Sequence, residues 1–253
     1  MEYLAALGGN LDANSALFAK AFENLERLGV RLKACSDVMR TAPVGAAAGT
    51  EFLNAAALLE SNLSPPQVLS AFHTVEDACG RVRDVRWGPR TLDLDLLLAG
   101  DVISSEPELL LPHPALWYRD FVLRPAVQIA GSLRHPVLGS TLQELWRRLQ
   151  ERPLRIRIRP SDAGLGQEKL AGLSVERIRR RLVAEVSGAE WLLPEDSGAV
   201  FCEAFLLPAT EVQPPYSYVA AQPKARRVSL FVRDEADGVE QLRQLCVAIG
   251  CNA

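Results

Sequence analysis

Asp93 and Asp95 stand two residues apart, directly after a segment carrying Arg81, Arg83, Arg86 and Arg90. In an extended strand alternate side chains share a face. The two carboxylates then point the same way, about 7 Å apart, and Leu92, Leu94, Leu96 and Leu98 point the other way. Two hard oxygen ligands on a rigid strand suit Mg²⁺, which keeps its remaining positions for water and for the phosphate oxygens of a substrate. The four guanidinium groups, opposed within their own segment only by Asp84, are forks for the non-bridging oxygens of a polyphosphate. A D-x-D pair by itself favours a plainer reading, a half-exposed strand with a solvated polar face. The adjoining arginines reverse that weighting, because cations and metal ligands converging from one segment match a metal-bound polyphosphate. No G-x-x-x-x-G-K-[ST] occurs in the chain, so phosphate binding would rest on arginine and metal and not on a glycine-rich cradle with its lysine.

The elements that must position these groups read as βαββαβ. Residues 3–7 form a short apolar strand that stops at Gly8-Gly9-Asn10, and Asp12 precedes a helical pattern through Leu17, Ala21, Leu25 and Leu28. Val30, Leu32, Ala34 and Ser36 alternate as a second strand, followed by a loop rich in Gly, Ala and Pro over 41–49. Residues 52–60 read as a third strand. Ser64-Pro65 opens a second helix, with apolar positions at Val68, Leu69, Phe72, Val75 and Ala78 and a stop at Gly80. Residues 92–98 supply the last strand. This order predicts an α+β fold, a ferredoxin-like split βαβ sheet with two helices on one face. A further helix opens at Ser140-Thr141, with overlapping capping-box patterns to Gln143 and Glu144.

Residues 1–150 thus read as a catalytic domain and 151–253 as a second, small α+β domain. In the latter, RIRIR at 155–159 alternates like a strand and Ser174 starts a helix to about 186. Strands follow at 199–206 and 226–233, and a last helix at 238–249. The arginines from 177 to 181 could bind an anion or nucleic acid, but such a cluster is more often the solvated face of a helix. Nothing in this second half points to chemistry. A surface for a protein partner is the role left open for it.

Composition excludes several classes. The chain has 253 residues, 48% hydrophobic and 23% charged, with no apolar run near the ~20 residues of a membrane helix. Its net charge of −3 argues against a general nucleic-acid binder. An acidic Glu2 and an apolar run that ends at Gly8 are unlike a signal peptide. Five cysteines, odd in number and without C-x-x-C, suggest neither a disulfide framework nor a zinc site, and a cytoplasmic setting is expected.

Residues 86–98, RWGPRTLDLDLLL, resemble the signature segment of the 6-hydroxymethyl-7,8-dihydropterin pyrophosphokinase family of folate biosynthesis. ALGGNL, RTAPVG, FLNAA, GRVR and LPHP-x5-R-x-FVL resemble its other landmarks in the right order. That family's fold is ferredoxin-like, in agreement with the element order above. The resemblance implies ATP as co-substrate, transfer of its β,γ-diphosphate to the pterin hydroxymethyl group, release of AMP, and two Mg²⁺ ions on Asp93 and Asp95. It assigns Arg81 and Arg90 to the transferring phosphates, and Arg83, Arg86 and Trp87 to a closing loop over the nucleotide. Glu76, His113 and Arg119 are implied near ATP. Thr41, Pro43, Val44, Phe52, Asn54 and Phe121 are implied around the pterin, with the phenylalanines stacking and Asn54 reading the ring edge. Asp95 is also the nearest acceptor for the hydroxyl proton. Phe52, where the family often has tyrosine, and Ala115, Asp120 and Arg124 depart from the family pattern. Two other classes stay open on residues alone: a noncatalytic assembly subunit, and a nucleotidyltransferase that releases pyrophosphate.

Overall fold

The computed structural model describes residues 1–9, 15–41, 51–80, 91–160, 174–197, 200–208, 227–232 and 235–251. They form two compact units, Met1–Trp146 and Arg147–Ala253.

The first unit is organised around β1 (Glu2–Gly9), whose run of Tyr, Leu and Ala is buried on both faces and therefore sits inside a sheet. β1 pairs antiparallel with β4 (Phe52–Ser61) and β5 (Asp93–Ala99), and β4 pairs on its far edge with β2 (Val30–Cys35) and then with β3 (Met39–Thr41). The strand order is β2-β4-β1-β5. Ser36 bridges the break between β2 and β3, its Oγ accepting from the Ala56 N–H at 2.9 Å and its own N–H donating to the Ala56 carbonyl at 2.9 Å.

Two helices cover one face of this sheet. α1 (Ser15–Arg27) buries Phe18, Ala21 and Leu25, and α2 (Pro65–Ala78) buries Val68, Phe72 and Val75. These residues join Tyr3, Ala5, Leu7, Leu53, Ala55, Ala57, Leu59, Leu92, Leu94 and Leu96 in one core. The start of α2 follows from its sequence: Pro65 and Pro66 occupy the first turn, and Gln67 Oε1 accepts from the Ser64 N–H at 2.8 Å. One expected face is corrected. The pairing of β1 with β5 shifts by one residue between Leu4 and Ala5, so Leu98 lies opposite Leu4, and neither belongs to the core that holds Leu92, Leu94 and Leu96. A bulge inverts every side chain beyond it.

The other face is covered by α3 (Asp120–Ala130), which packs on β4, β1 and β3 and buries Val122, Leu123, Ala126 and Ala130. This helix was not anticipated from the sequence. Arg124 and Pro125 interrupt its apolar pattern, while an Asp120–Arg124 ion pair of 2.6 Å spans its first turns. The short hairpin β6 (Ser104–Glu106) and β7 (Leu109–Leu111) was also not anticipated. α4 (Leu142–Gln150) begins with a reciprocal box in which the Glu144 N–H donates to Thr141 Oγ1 at 3.1 Å and the Thr141 N–H to Glu144 Oε2 at 2.7 Å. Thr141, not Ser140, is therefore the cap.

The second unit contains β8 (Leu154–Pro160), α5 (Val175–Glu185), β9 (Ala189–Leu192), β10 (Cys202–Pro208), β11 (Arg227–Val232) and α6 (Glu235–Ala248). Its strands pair in parallel, in the order β11-β10-β8-β9. An α+β domain was expected here. Parallel neighbours instead require crossover connections, and α5 supplies one between β8 and β9. Leu154, Ile156 and Ile158 are buried, as are Ile178 and Leu182 of α5 and Leu242 and Leu245 of α6. Arg155 pairs with Glu190, and Arg157 and Arg159 both pair with Glu203. Arg179 and Arg180 pair with Glu176 on their own helix, as expected of a solvated face. All five cysteines are free thiols. Among the described residues no helix is long and apolar enough to cross a membrane.

Candidate active site on the polar face of the first sheet

Alternation along β5 turns Leu94 and Leu96 into the core, leaving Asp93 and Asp95 half-buried on the face that α3 covers in part. Register then brings residues distant in sequence side by side. Asp93 lies opposite Gly8 of β1, Gly8 lies opposite Asn54 of β4, and Asn54 lies opposite Met39 of β3. Asp95 lies opposite Ala6, which lies opposite Ala56. Phe52, two positions before Asn54, shares its face and pairs with Thr41.

Asn54 is 8% exposed, and its Nδ2 donates to Thr41 Oγ1 at 2.7 Å. That bond fixes the amide with its oxygen turned toward β1: a Cβ placed on Gly8 would come within 3.7 Å of Asn54 Oδ1 and 3.9 Å of Asp93 Cβ. At this position of the row β1 thus puts no side chain between the amide and the carboxylate. Sequence reasoning took Gly8 as the end of a strand. A glycine inside a run that pairs on both edges was the available signal for a close approach to backbone.

His113 reaches the site from the segment before α3. Its N–H donates to the Leu97 carbonyl at 2.9 Å, tethering the segment to β5, and its Nδ1 accepts from the Ala115 N–H at 3.2 Å. Burial pushes its pKa down to about 3, the Arg119 guanidinium pushes the same way, and the Asp93 carboxylate opposes both. The ring is therefore neutral at neutral pH. With Nδ1 accepting, its proton sits on Nε2, which makes that nitrogen a donor. The electrostatic links place His113, Arg119 and Asp93 in one neighbourhood. Arg119 also lies over the Phe121 ring, 5.6 Å from its centroid. Asp120 and Arg124, which add charge beside these residues, bind each other.

Glu76, which the resemblance implies near ATP, is fully buried on α2, where its Oε1 accepts from the Leu94 N–H at 2.7 Å. It thereby holds the strand at the residue between the two aspartates. His135 is structural: its Nδ1 accepts from the Val137 and Leu138 N–H groups, both at 3.3 Å, in the turn before α4. Pro43, Val44, Arg81, Arg83, Arg86, Trp87 and Arg90 lie outside the described residues.

Two half-buried carboxylates with small neighbours are a hard, oxygen-only donor set. Among the described residues no group of three or more His, Cys, Asp or Glu converges. Two carboxylate donors are the kind of set Mg²⁺ accepts, since it takes one or two protein carboxylates and completes its shell from water and phosphate.

Residues 4–131 match the model of the family described as 7,8-dihydro-6-hydroxymethylpterin-pyrophosphokinase. A 2-amino-4-hydroxy-6-hydroxymethyldihydropteridine pyrophosphokinase of Pseudomonas aeruginosa is 43% identical over 141 residues, 55% of this chain and 86% of the relative. A protein of the same name from Synechocystis is 35% identical over 143 residues, 56% of this chain and 73% of the relative. A folate synthesis bifunctional protein, mitochondrial, of Arabidopsis thaliana is 39% identical over 131 residues, 52% of this chain and 24% of that protein.

Proposed function

This chain belongs to the 7,8-dihydro-6-hydroxymethylpterin-pyrophosphokinase family, and from that premise we propose how the polar face of its first sheet carries out the reaction. The enzyme transfers diphosphate from ATP to 6-hydroxymethyl-7,8-dihydropterin, giving AMP and the pterin diphosphate, in folate biosynthesis. We read the βαββαβ order of the first unit as a ferredoxin-like core.

The acceptor hydroxyl oxygen attacks the β-phosphorus of ATP. The bond from that phosphorus to the α,β-bridging oxygen breaks, and the electron pair leaves with AMP. Asp93 and Asp95 would hold Mg²⁺, which neutralises triphosphate charge when bound. Asp95 accepts the hydroxyl proton. Asn54, fixed by Thr41, reads the donor and acceptor edge of the pterin, and Phe52 and Phe121 take its faces, as a flat polar heterocycle requires. Pro43 and Val44 complete the pterin site. His113 Nε2–H and Arg119 bind phosphate oxygens, while Arg81 and Arg90 stabilise charge developing toward AMP. Arg83, Arg86 and Trp87 are the further nucleotide-binding residues of this reading. Glu76 acts near the nucleotide through the strand it holds.

The observation that supports this reading is the register itself. It sets Asn54 and Asp93 in one row on either side of a glycine, with Asp95 in the next. The test mixes protein, MgATP and 6-hydroxymethyl-7,8-dihydropterin and identifies both products. AMP with pterin diphosphate is expected. ADP, pyrophosphate or the absence of pterin-dependent turnover would overturn it.

A further inference from the structure

Gly8 occupies a place that the reaction scheme leaves unassigned. It sits in the middle of a three-strand row, Asn54–Gly8–Asp93. Neighbouring strands are about 4.8 Å apart, so the flanking backbones are roughly 10 Å apart with bare backbone between them. Its φ is not left-handed: the positive-φ glycines among the described residues are Gly29, Gly80, Gly100, Gly139, Gly188 and Gly250. Backbone conformation therefore does not demand glycine here. Nor does close packing, since a Cβ would find only ordinary contact distances, 3.7 Å to Asn54 Oδ1 and 3.9 Å to Asp93 Cβ. What a larger side chain would do is fill the slot between amide and carboxylate.

We propose that Gly8 is a specificity-determining gap: the acceptor's hydroxymethyl arm crosses β1 over its bare backbone, joining a ring held at Asn54 to a phosphate centre held at Asp93. This rests on the placement of pterin and metal in the preceding section. The two ends of the substrate pair bind on different strands, so the arm linking them must pass over the strand between. Only a residue without a side chain leaves that path at sheet level. Asp95 faces Ala6 in the adjacent row, so the path is one row wide.

The test is a graded series, Gly8→Ala, Gly8→Ser and Gly8→Val, assayed for KM of each substrate, kcat and thermal midpoint. A β-branched residue suits a strand better than glycine does, so Gly8→Val should melt no lower than the parent. Its pterin KM should nevertheless rise roughly 10- to 100-fold, by the overfilling of a fitted space, with a fall in kcat. Gly8→Ala and Gly8→Ser should give smaller increases in order of volume. The KM for ATP should stay within about threefold throughout, since the contact at Asp93 is with its Cβ and not its carboxylate. A pterin KM that stays flat across the folded variants, or an ATP KM that rises in step with it, would overturn the inference. Should Gly8→Val fold poorly, the Ala and Ser variants still decide it. The parent enzyme's own products test the underlying reaction separately.

Discussion

Strands β5 and β8 each alternate charge with aliphatic residues, β5 with DLDL and β8 with RIRIR. Both bury the aliphatic side. Their charged sides differ in what stands beside them. Arg155, Arg157 and Arg159 face Glu190 and Glu203 on adjacent strands, and the Arg157–Glu203 pair is 12% and 15% exposed. Each of those arginines has an ion-pair partner within the sheet. Asp93 and Asp95 face Gly8 and Ala6 instead, residues that offer neither countercharge nor bulk. A charged strand face whose neighbours across the sheet are small keeps room beside it for a ligand. Such a face becomes structure when adjacent strands bring the counterions.

The sharpest way to break this contrast is to remove one charge from each face. Asp95→Ala should lower kcat by about 10³-fold or more, because the roles proposed for it, metal ligand and proton acceptor, would be lost together, while the melting temperature changes little. Steady-state kinetics beside a calorimetric scan checks both halves, and a mutant with the parent rate would end the assignment. Glu203→Ala should do the reverse. It strands two arginines at a half-buried position, and breaking such a network costs about 3 kcal/mol. Denaturant unfolding should show that loss with unchanged turnover below the transition.

The two faces were not equally legible in the sequence. Period-two alternation located β5 and β8, and helical spacing with a Ser-Pro opening located α2, because those signals are local. The Leu98 inversion was not local. It depends on a one-residue slip in pairing with β1, which no property of residues 92–98 announces. The role of Glu76 was hidden for a related reason: an acid late in a helix reads as solvated until the edge of β5 is seen to offer it the Leu94 N–H. α3 was obscured by Arg124 and Pro125. β9, only four residues long, carries too few positions for a period to show. The D-x-D stood out in the sequence because of the arginines beside it, but its pairing with Gly8 and Asn54 is a property of strand order.

Acid sharpens the contrast between the units themselves. All three histidines, His73, His113 and His135, lie in the first unit. Burial pushes the pKa of His135 from 6.5 down to about 4, a backbone hydrogen bond opposing it weakly. The folded state therefore holds the ring neutral where the unfolded chain is protonated. Stability that is complete above about 6.5 is lost as pH falls from there toward about 4. A single such group contributes a slope of at most about 1.4 kcal/mol per pH unit. Spectroscopic melts of the first unit from pH 7 to pH 4.5 should fall along this slope, more gently in His135→Asn, which removes one titrating ring. The second unit, without histidine, should hold nearly level over that range. Equal acid slopes in both units would contradict this.

The smallest expected effect probes how the site face keeps its polar groups in order. Glu203 holds its arginines by charge, whereas Asn54 is held by one neutral hydrogen bond, from Nδ2 to Thr41 Oγ1 at 2.7 Å. Thr41→Val keeps the shape and removes the acceptor, at a cost of about 1 kcal/mol. If that bond only stabilised the fold, the melting temperature would drop and the kinetic constants would stay. If it fixes which end of the amide faces the pterin, the amide becomes free to turn over. The pterin KM should then rise about fivefold with the ATP KM unchanged. Restoring a hydroxyl with Thr41→Ser should recover most of the loss, because the acceptor oxygen is what the amide needs and not the methyl group beside it.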